Sequence, residues 1–266
     1  MIIIKVPGLN AMGKNKGCRN AGNAILTNLK DIKSNEQEKI INSELLDLEE
    51  IHVDNANVEE QEKLIYENSL DAFSNQDQVI FLGGDHSISY SIGKAFLDYC
   101  KQESKKPCLI VFDAHPDLME PMKEPTHEEW LRALIEYGFS AENILLVGNR
   151  NSHRKEIEFI KKNKIKSLSM NNLNEDLQDS CDTIMEFANG KELYVSIDID
   201  VVDPAFAPAT GYCEPGGLTS RQMIYLVSRI NKMKNLKAVD IVEINSEKDK
   251  TGLTVKLGAK LLGEFI

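Results

Sequence analysis

Short apolar runs alternate with amphipathic stretches from one end of the chain to the other, and this alternation restricts the fold more than any other feature. The runs at 2–6 (IIIKV), 50–53 (EIHV), 78–82 (QVIFL), 108–113 (CLIVFD), 143–147 (NILLV), 165–168 (IKSL), 193–198 (LYVSID) and 238–243 (AVDIVE) predict strands. Between them EQEKIINSELLDL (36–48), SISYSIGKAFLDYC (87–100), EEWLRALIEYG (128–138) and TSRQMIYLVSRINKM (219–233) read as helices, and TVKLGAKLLGEF (254–265) ends the chain on another. Strands separated by helices imply an α/β fold, a parallel sheet with helices on both faces. In such sheets the ligand site lies beyond the carboxyl ends of the strands. No internal repeat or low-complexity linker divides the chain, so one domain over residues 1–266 is expected.

Four predicted strand ends carry ionisable groups. The third strand leads into GGDHS (83–87), the fourth into DAHPD (113–117), the seventh into SIDIDVVDP (196–204), and the eighth ends at Glu243. Side chains of a strand alternate between faces, so a spacing of two places Asp113, His115 and Asp117 on one side. Asp198 and Asp200 repeat that spacing. Buried together, these groups are costly to desolvate without a partner, and a cation is the economical one. With His86 the set comprises four carboxylates and two imidazoles, more ligands than one divalent ion uses, whereas two ions sharing bridging carboxylates would use them all. Oxygen and nitrogen donors without thiolate suit Mn²⁺ better than a structural zinc site. Two such ions lower the pKa of a shared water towards neutrality. Taken singly, each motif also reads as a turn or helix cap.

Composition narrows the partners. Acidic residues outnumber basic ones by 42 to 31, giving a net charge of −11, which disfavours nucleic acid and suits a cationic substrate. The five cysteines are odd in number and form no CxxC pair, as expected of reduced thiols in a cytoplasmic protein. MIIIKVPG is too short an apolar run for a signal peptide, and no stretch approaches a membrane span.

Together GGDHS, DAHPD and SIDIDVVDPAFAPATG strongly resemble the signature blocks of the ureohydrolases, the arginase and agmatinase family, and AVDIVEIN resembles a fourth. The resemblance covers nearly the whole chain. It implies an arginase-like three-layer α/β/α fold with an eight-stranded, mostly parallel sheet, and two Mn²⁺ per chain that hydrolyse a guanidinium to urea and an amine. By motif position one ion would take His86, Asp113, Asp117 and Asp198, and the other His115, Asp113, Asp198 and Asp200. Glu243 would face the guanidinium, where a carboxylate can orient the planar cation. Asp117 would hold or receive the nucleophile's proton. The family's proton-shuttle histidine falls at His127, although Thr126 and Glu129 around it equally form a capping box. Asp85 and Asp203 read as supporting or turn-forming groups, and Asp240 as structural. The resemblance also implies a homo-trimer or homo-hexamer.

Departures from the family pattern bear on the substrate. Pro116 replaces a common Thr, and Leu118 and Met119 follow Asp117 where arginases tend to offer an Asn. The loop LMEPMKEPT is short and lacks groups to grip an α-carboxylate; His153 stands where arginases place an Asp. Arg150 matches a Gly-x-Arg pattern, Tyr212 and Cys213 replace Thr and Pro, and Asn245–Ser246 replace Asn-Pro. EPGG leans towards agmatinases, so agmatine is favoured over arginine, guanidinobutyrate or another guanidino compound.

Rival readings are a metal-containing relative without activity that acts as a binding protein, a two-metal phosphoesterase, and a zinc deacetylase of related fold. The phosphoesterase lacks its downstream Asn-His-Asp, and the deacetylase fits the Asp198–Asp200 pair less well. GLNAMGKN (8–15) misses a phosphate-binding loop by one residue, because Asn15 replaces the hydroxyl that would hold Mg²⁺.

Overall fold

A computed structural model describes residues 1–10 and 13–266. Residues 11 and 12 of the near-miss phosphate loop lie outside the described residues.

Eight strands form one sheet: β1 (Ile2–Val6), β2 (Leu48–Glu50), β3 (Val79–Gly83), β4 (Pro107–Phe112), β5 (Ile144–Val147), β6 (Lys166–Leu168), β7 (Glu192–Asp198) and β8 (Leu236–Val242). Their order is β2-β1-β3-β8-β7-β4-β5-β6, and every pairing between them is parallel. The last strand is therefore inserted between β3 and β7. This order brings the four strands with ionisable ends, β3, β8, β7 and β4, side by side at the centre of the sheet.

Alternation along each strand feeds two separate cores. Ile3, Ile80, Leu82, Cys108, Ile110 and Phe112 point into one. Ile2, Ile4, Val79, Phe81, Leu109 and Val111 point into the other. Helices α1 (Ala21–Leu29), α7 (Leu177–Ala188), α8 (Ser220–Ile230) and α9 (Leu253–Phe265) cover the first. Helices α2 (Val58–Asn75), α3 (Ile88–Gln102) and α4 (Trp130–Tyr137) cover the second. The short helices α5 (Arg154–Asn163) and α6 (Met170–Glu175) complete the βα units near the β5–β6 edge. The result is the expected three-layer α/β/α sandwich. No described helix is long and apolar enough to cross a membrane.

One predicted helix does not form. Residues 36–48 instead hold a bridge between Ser34 and Ile40, a 3₁₀ turn over Ser43–Leu45, and the start of β2. Asn side chains explain this. Asn35 accepts from the backbone N–H groups of Gln37 and Lys39, and Asn42 accepts from that of Glu44, offering the backbone an alternative to helical bonds. The helix that the first crossover needs is Ala21–Leu29, which packs on α9 and was hidden by its small, polar-interrupted sequence.

At the end of β3, Gly84 passes so close to the preceding loop that a Cβ there would sit 1.8 Å from the carbonyl oxygen of Gly8. The Gly84 carbonyl also accepts the N–H of Glu243 at 3.0 Å. Because backbone cannot step aside as a side chain can, Gly84→Ala should destabilise the protein by about 1–3 kcal/mol, read as a lower urea midpoint with unchanged slope.

Candidate metal centre

The four central strands end in loops that fold over the top of the sheet. Following β3, the Gly83–Gly84–Asp85 turn delivers His86 to the start of α3, where the ring is buried. Its Nδ1 lies 3.1 Å from Asp113 Oδ2, 3.1 Å from Asp117 Oδ2 and 3.2 Å from Asp198 Oδ2. Neighbouring this group, His115 Nδ1 lies 3.0 Å from Asp200 Oδ2 and 3.6 Å from Asp113 Oδ1. Asp113 thus turns one oxygen to each imidazole. Two clusters able to hold an ion share it: His86, Asp113 and Asp198, and Asp113, His115 and Asp200.

Local backbone, rather than strand alternation, assembles this set. β4 stops at Phe112, so Asp113, His115 and Asp117 lie in a loop, and Asp117 adopts the left-handed conformation at φ 53°. Asp113 Oδ1 accepts the His115 N–H at 2.6 Å, which tightens that loop. Asp198 closes β7, while Asp200 lies in the 3₁₀ turn Ile199–Val201 and donates its N–H to Asp198 Oδ1 at 2.8 Å. Asp198 thus turns Oδ2 to the first cluster, while Oδ1, on the side of Asp200, accepts from the backbone.

The residues fit a cation. Among the described residues, buried His86 Nδ1 and Asp113 Oδ2 have no hydrogen-bond partner although they face one another. Burial and the Asp113 charge push Asp117 up to about 8. Burial also raises Asp198, with Asp200 and Asp113 adding to it, and raises Asp200 next to Asp113. Burial would lift Asp113 too, but the adjoining imidazoles of His115 and His86 hold it below the usual carboxylate range. Carboxylates crowded in this way are short of positive charge, and a divalent ion supplies it.

Glu243 follows β8 at φ 64°, and the backbone N–H of His86 donates to its Oε1 at 2.9 Å. Cys18 approaches the other oxygen at 3.9 Å. Burial and the Asp85 charge push the Glu243 pKa well above the usual range. A cleft of about 540 Å³ opens beside this set, lined by His115, Asp117, His127, Glu128, Tyr212 and Glu214 among others. His127 lies in the turn before α4 and stacks on Tyr212 with ring centroids 5.5 Å apart. Neither of its ring nitrogens has a hydrogen-bond partner among the described residues, and burial lowers its pKa. The Thr126–Glu129 interaction is present as well: Glu129 accepts from the Thr126 hydroxyl at 2.6 Å and from its N–H at 3.1 Å.

Other sequence-selected residues are occupied elsewhere. His153 caps α5 by accepting the Lys155 N–H, and Glu156 bonds back to the His153 N–H. Arg150 spends its guanidinium on the carbonyls of Gly148, Asp200, Val201, Glu214 and Pro215. Asp203 ties a turn by accepting from Ala205, Gly216 and Gly217. Trp130 escaped sequence reasoning. Its indole N–H donates to Asp117 Oδ2 at 2.8 Å, and its ring lies 4.7 Å from that of His86. The one signal was that it is the chain's sole Trp.

A parallel three-layer sandwich with acid–imidazole clusters at its central strand ends defines an α/β protein with a candidate metal centre. The Arginase family model matches residues 1–266, and the chain belongs to that family. "Arginase 1, mitochondrial" of Oryza sativa subsp. indica is 31% identical over 190 residues, 70% of this chain and 54% of that protein. The agmatinase of Bacillus anthracis is 32% identical over 190 residues, 70% of this chain and 61% of that one. The chain therefore spans little more than half the length of these curated relatives. Among solved structures, the formimidoylglutamase of Bacillus subtilis subsp. subtilis str. 168 superposes with a TM-score of 0.88 at 25% identity, covering 99% of this chain and 85% of that one. The agmatine ureohydrolase of Thermoplasma volcanium gives 0.84 at 25% identity, covering 99% and 87%.

If the clusters hold ions, each Mn²⁺ at a hundred times its Kd should stabilise the fold by about 2.7 kcal/mol, and a chelator should remove the gain. The shared carboxylate makes Asp113→Ala the sharpest check by calorimetry. A Tm increment from Mn²⁺ as large as the wild type's would refute the assignment.

Proposed function

We propose that this chain, folded as one domain, is a hydrolase that splits a guanidino compound into urea and an amine with two Mn²⁺ ions. The observation that carries this reading is the pair of clusters sharing Asp113, with orphaned His86 Nδ1 in one of them, at the head of a cleft in a member of the arginase family. His86, Asp113, Asp117 and Asp198 would hold one ion, and His115, Asp113, Asp198 and Asp200 the other. Bound ions would supply an acidified water at neutral pH.

The protein's own groups do the rest. Glu243, short of positive charge in its buried position, accepts charge-assisted hydrogen bonds from the planar guanidinium and fixes its carbon over the clusters. Asp117, on the cleft wall beside the first cluster, holds the proton released by the attacking water. Neutral His127, on the cleft wall, relays a proton to the departing amine.

The tail of the substrate is read from the cleft. Arg150 is engaged by carbonyls and exposed Arg154 by Glu158, so neither is free for a carboxylate. Glu128 and Glu214 give the cleft acidic walls. Agmatine, with an amine at its far end, fits this balance better than arginine. We place the protein in the cytoplasm as a homo-trimer or homo-hexamer; the five cysteines are all free thiols.

Urea release from a panel of agmatine, arginine and guanidinobutyrate tests the reading, with agmatine expected to give the highest kcat/KM. Glu243→Gln should lower kcat/KM about 10- to 150-fold by losing a charged hydrogen bond. His127→Asn should lower kcat about 100-fold or more. No urea from any compound, with two metal ions measured per chain, would leave the reading without support.

A further inference from the structure

Behind His86, away from the clusters, lies a polar network in the middle of the sheet. Asp240 sits within β8, fully buried, in register directly opposite Ser196 of β7. Tyr194, Ser196 and Asp198 share one face of β7 by alternation, the face towards α3. Asp240 Oδ1 accepts from the Ser196 hydroxyl at 2.7 Å and from the Ile197 N–H at 3.3 Å. Its Oδ2 accepts from the Ser89 hydroxyl at 2.8 Å and from the Tyr194 hydroxyl. The other side of Ser196 Oγ meets His86 Nε2 at 2.9 Å.

The donor count in this chain is restrictive. An ionised carboxylate only accepts, so each of the three hydroxyls must give Asp240 its single proton. Ser196 then has nothing left to donate, and its lone pair can only accept from His86. The proton of the neutral imidazole must therefore lie on Nε2, which leaves a lone pair on Nδ1, the atom aimed at Asp113, Asp117 and Asp198.

We propose that Asp240, acting through Ser196, sets the tautomer and ring orientation of His86 and so tunes the first ion site. This inference rests on the metal reading above but not on the reaction. Asp240 and Ser196 are positioning residues, since Asp240 is separated from the ion-binding atoms by two hydrogen bonds and an imidazole ring. Partners that orient a ligating imidazole typically change metal affinity 10- to 100-fold when removed.

Trp130 supplies the readout, because the chain's sole indole lies 4.7 Å from the His86 ring and paramagnetic Mn²⁺ quenches nearby fluorescence. The full chain, stripped with chelator, is titrated with Mn²⁺ while indole emission and bound metal are both followed. Ser196→Ala should weaken the Trp130-reported site about 10- to 100-fold. Asp240→Leu removes the carboxylate that takes the Ser196 proton, so the hydroxyl is free to donate to Nε2 and the imidazole proton can move to Nδ1; affinity should fall at least as far. Ser89→Ala removes a different bond to Asp240 and should leave affinity within about threefold, whereas Ser196→Thr, which keeps the hydroxyl, should restore it.

Equal affinity in Ser196→Ala and wild type overturns the proposal, as does an equal loss in Ser89→Ala, which would mark a merely structural network. Should either variant fail to fold, ¹⁵N spectra of the metal-free wild type at alkaline pH decide: a neutral His86 with its proton on Nε2 supports the relay, and one with its proton on Nδ1 refutes it. Tight Mn²⁺ binding without urea release would sink the proposed reaction and leave the relay standing. Urea release with unchanged affinity in Ser196→Ala would do the reverse.

Discussion

Everything at the top of this sheet depends on one electrostatic constraint: carboxylates from two neighbouring strand ends are held around two imidazoles where water hardly reaches. Asp113, Asp117, Asp198 and Asp200 are all buried, as is His86. Left to themselves, such groups answer burial by taking up protons, which is why Asp117, Asp198 and Asp200 are all pushed upward. A chain built to avoid that cost would place apolar side chains there. This one instead surrounds the cluster with fixed donors, and the arrangement is stable in its charged form only with added positive charge.

The surrounding fold bears local strain to keep these groups in place. Asp117 and Glu243 both adopt left-handed backbone conformations, uncommon for residues with a Cβ, at a cost of order 1 kcal/mol or more each. Each is over-determined by neighbours. The indole of Trp130 and the N–H of Arg132 tie down Asp117, through its carboxylate and its carbonyl respectively. Glu243 donates its N–H to Gly84 and accepts from His86, so the candidate guanidinium grip and the first cluster share one loop. A shift in either would be felt by the other, since their common support is backbone rather than a flexible side chain.

The candidate ligand clusters were largely legible in the chain because their residues are local. GGDHS, DAHPD and SIDIDVVDP carry their ligand types within a few residues, and each follows an apolar run that could only be a buried strand. The strand positions also followed, to within two or three residues, from hydrophobic periodicity. Local reasoning failed where short-range hydrogen bonds compete with periodicity, as at Asn35 and Asn42, and where a loop does what a strand was expected to do, as at Asp113–Asp117. Trp130, Ser196 and Tyr212 gave no sign of their positions, because what they touch is distant in sequence.

By itself, then, the amino-acid order determined the residue types that crown each strand and the two-faced layering that hides their stems. Only the tertiary structure decided that β8, the final strand, would slide between β3 and β7, setting Glu243 against His86 and Asp240 against Ser196. The physical reason is that side-chain alternation specifies which faces of a strand are buried, whereas strand order is chosen by how crossover helices pack over the whole sheet. No window of neighbouring residues contains that choice.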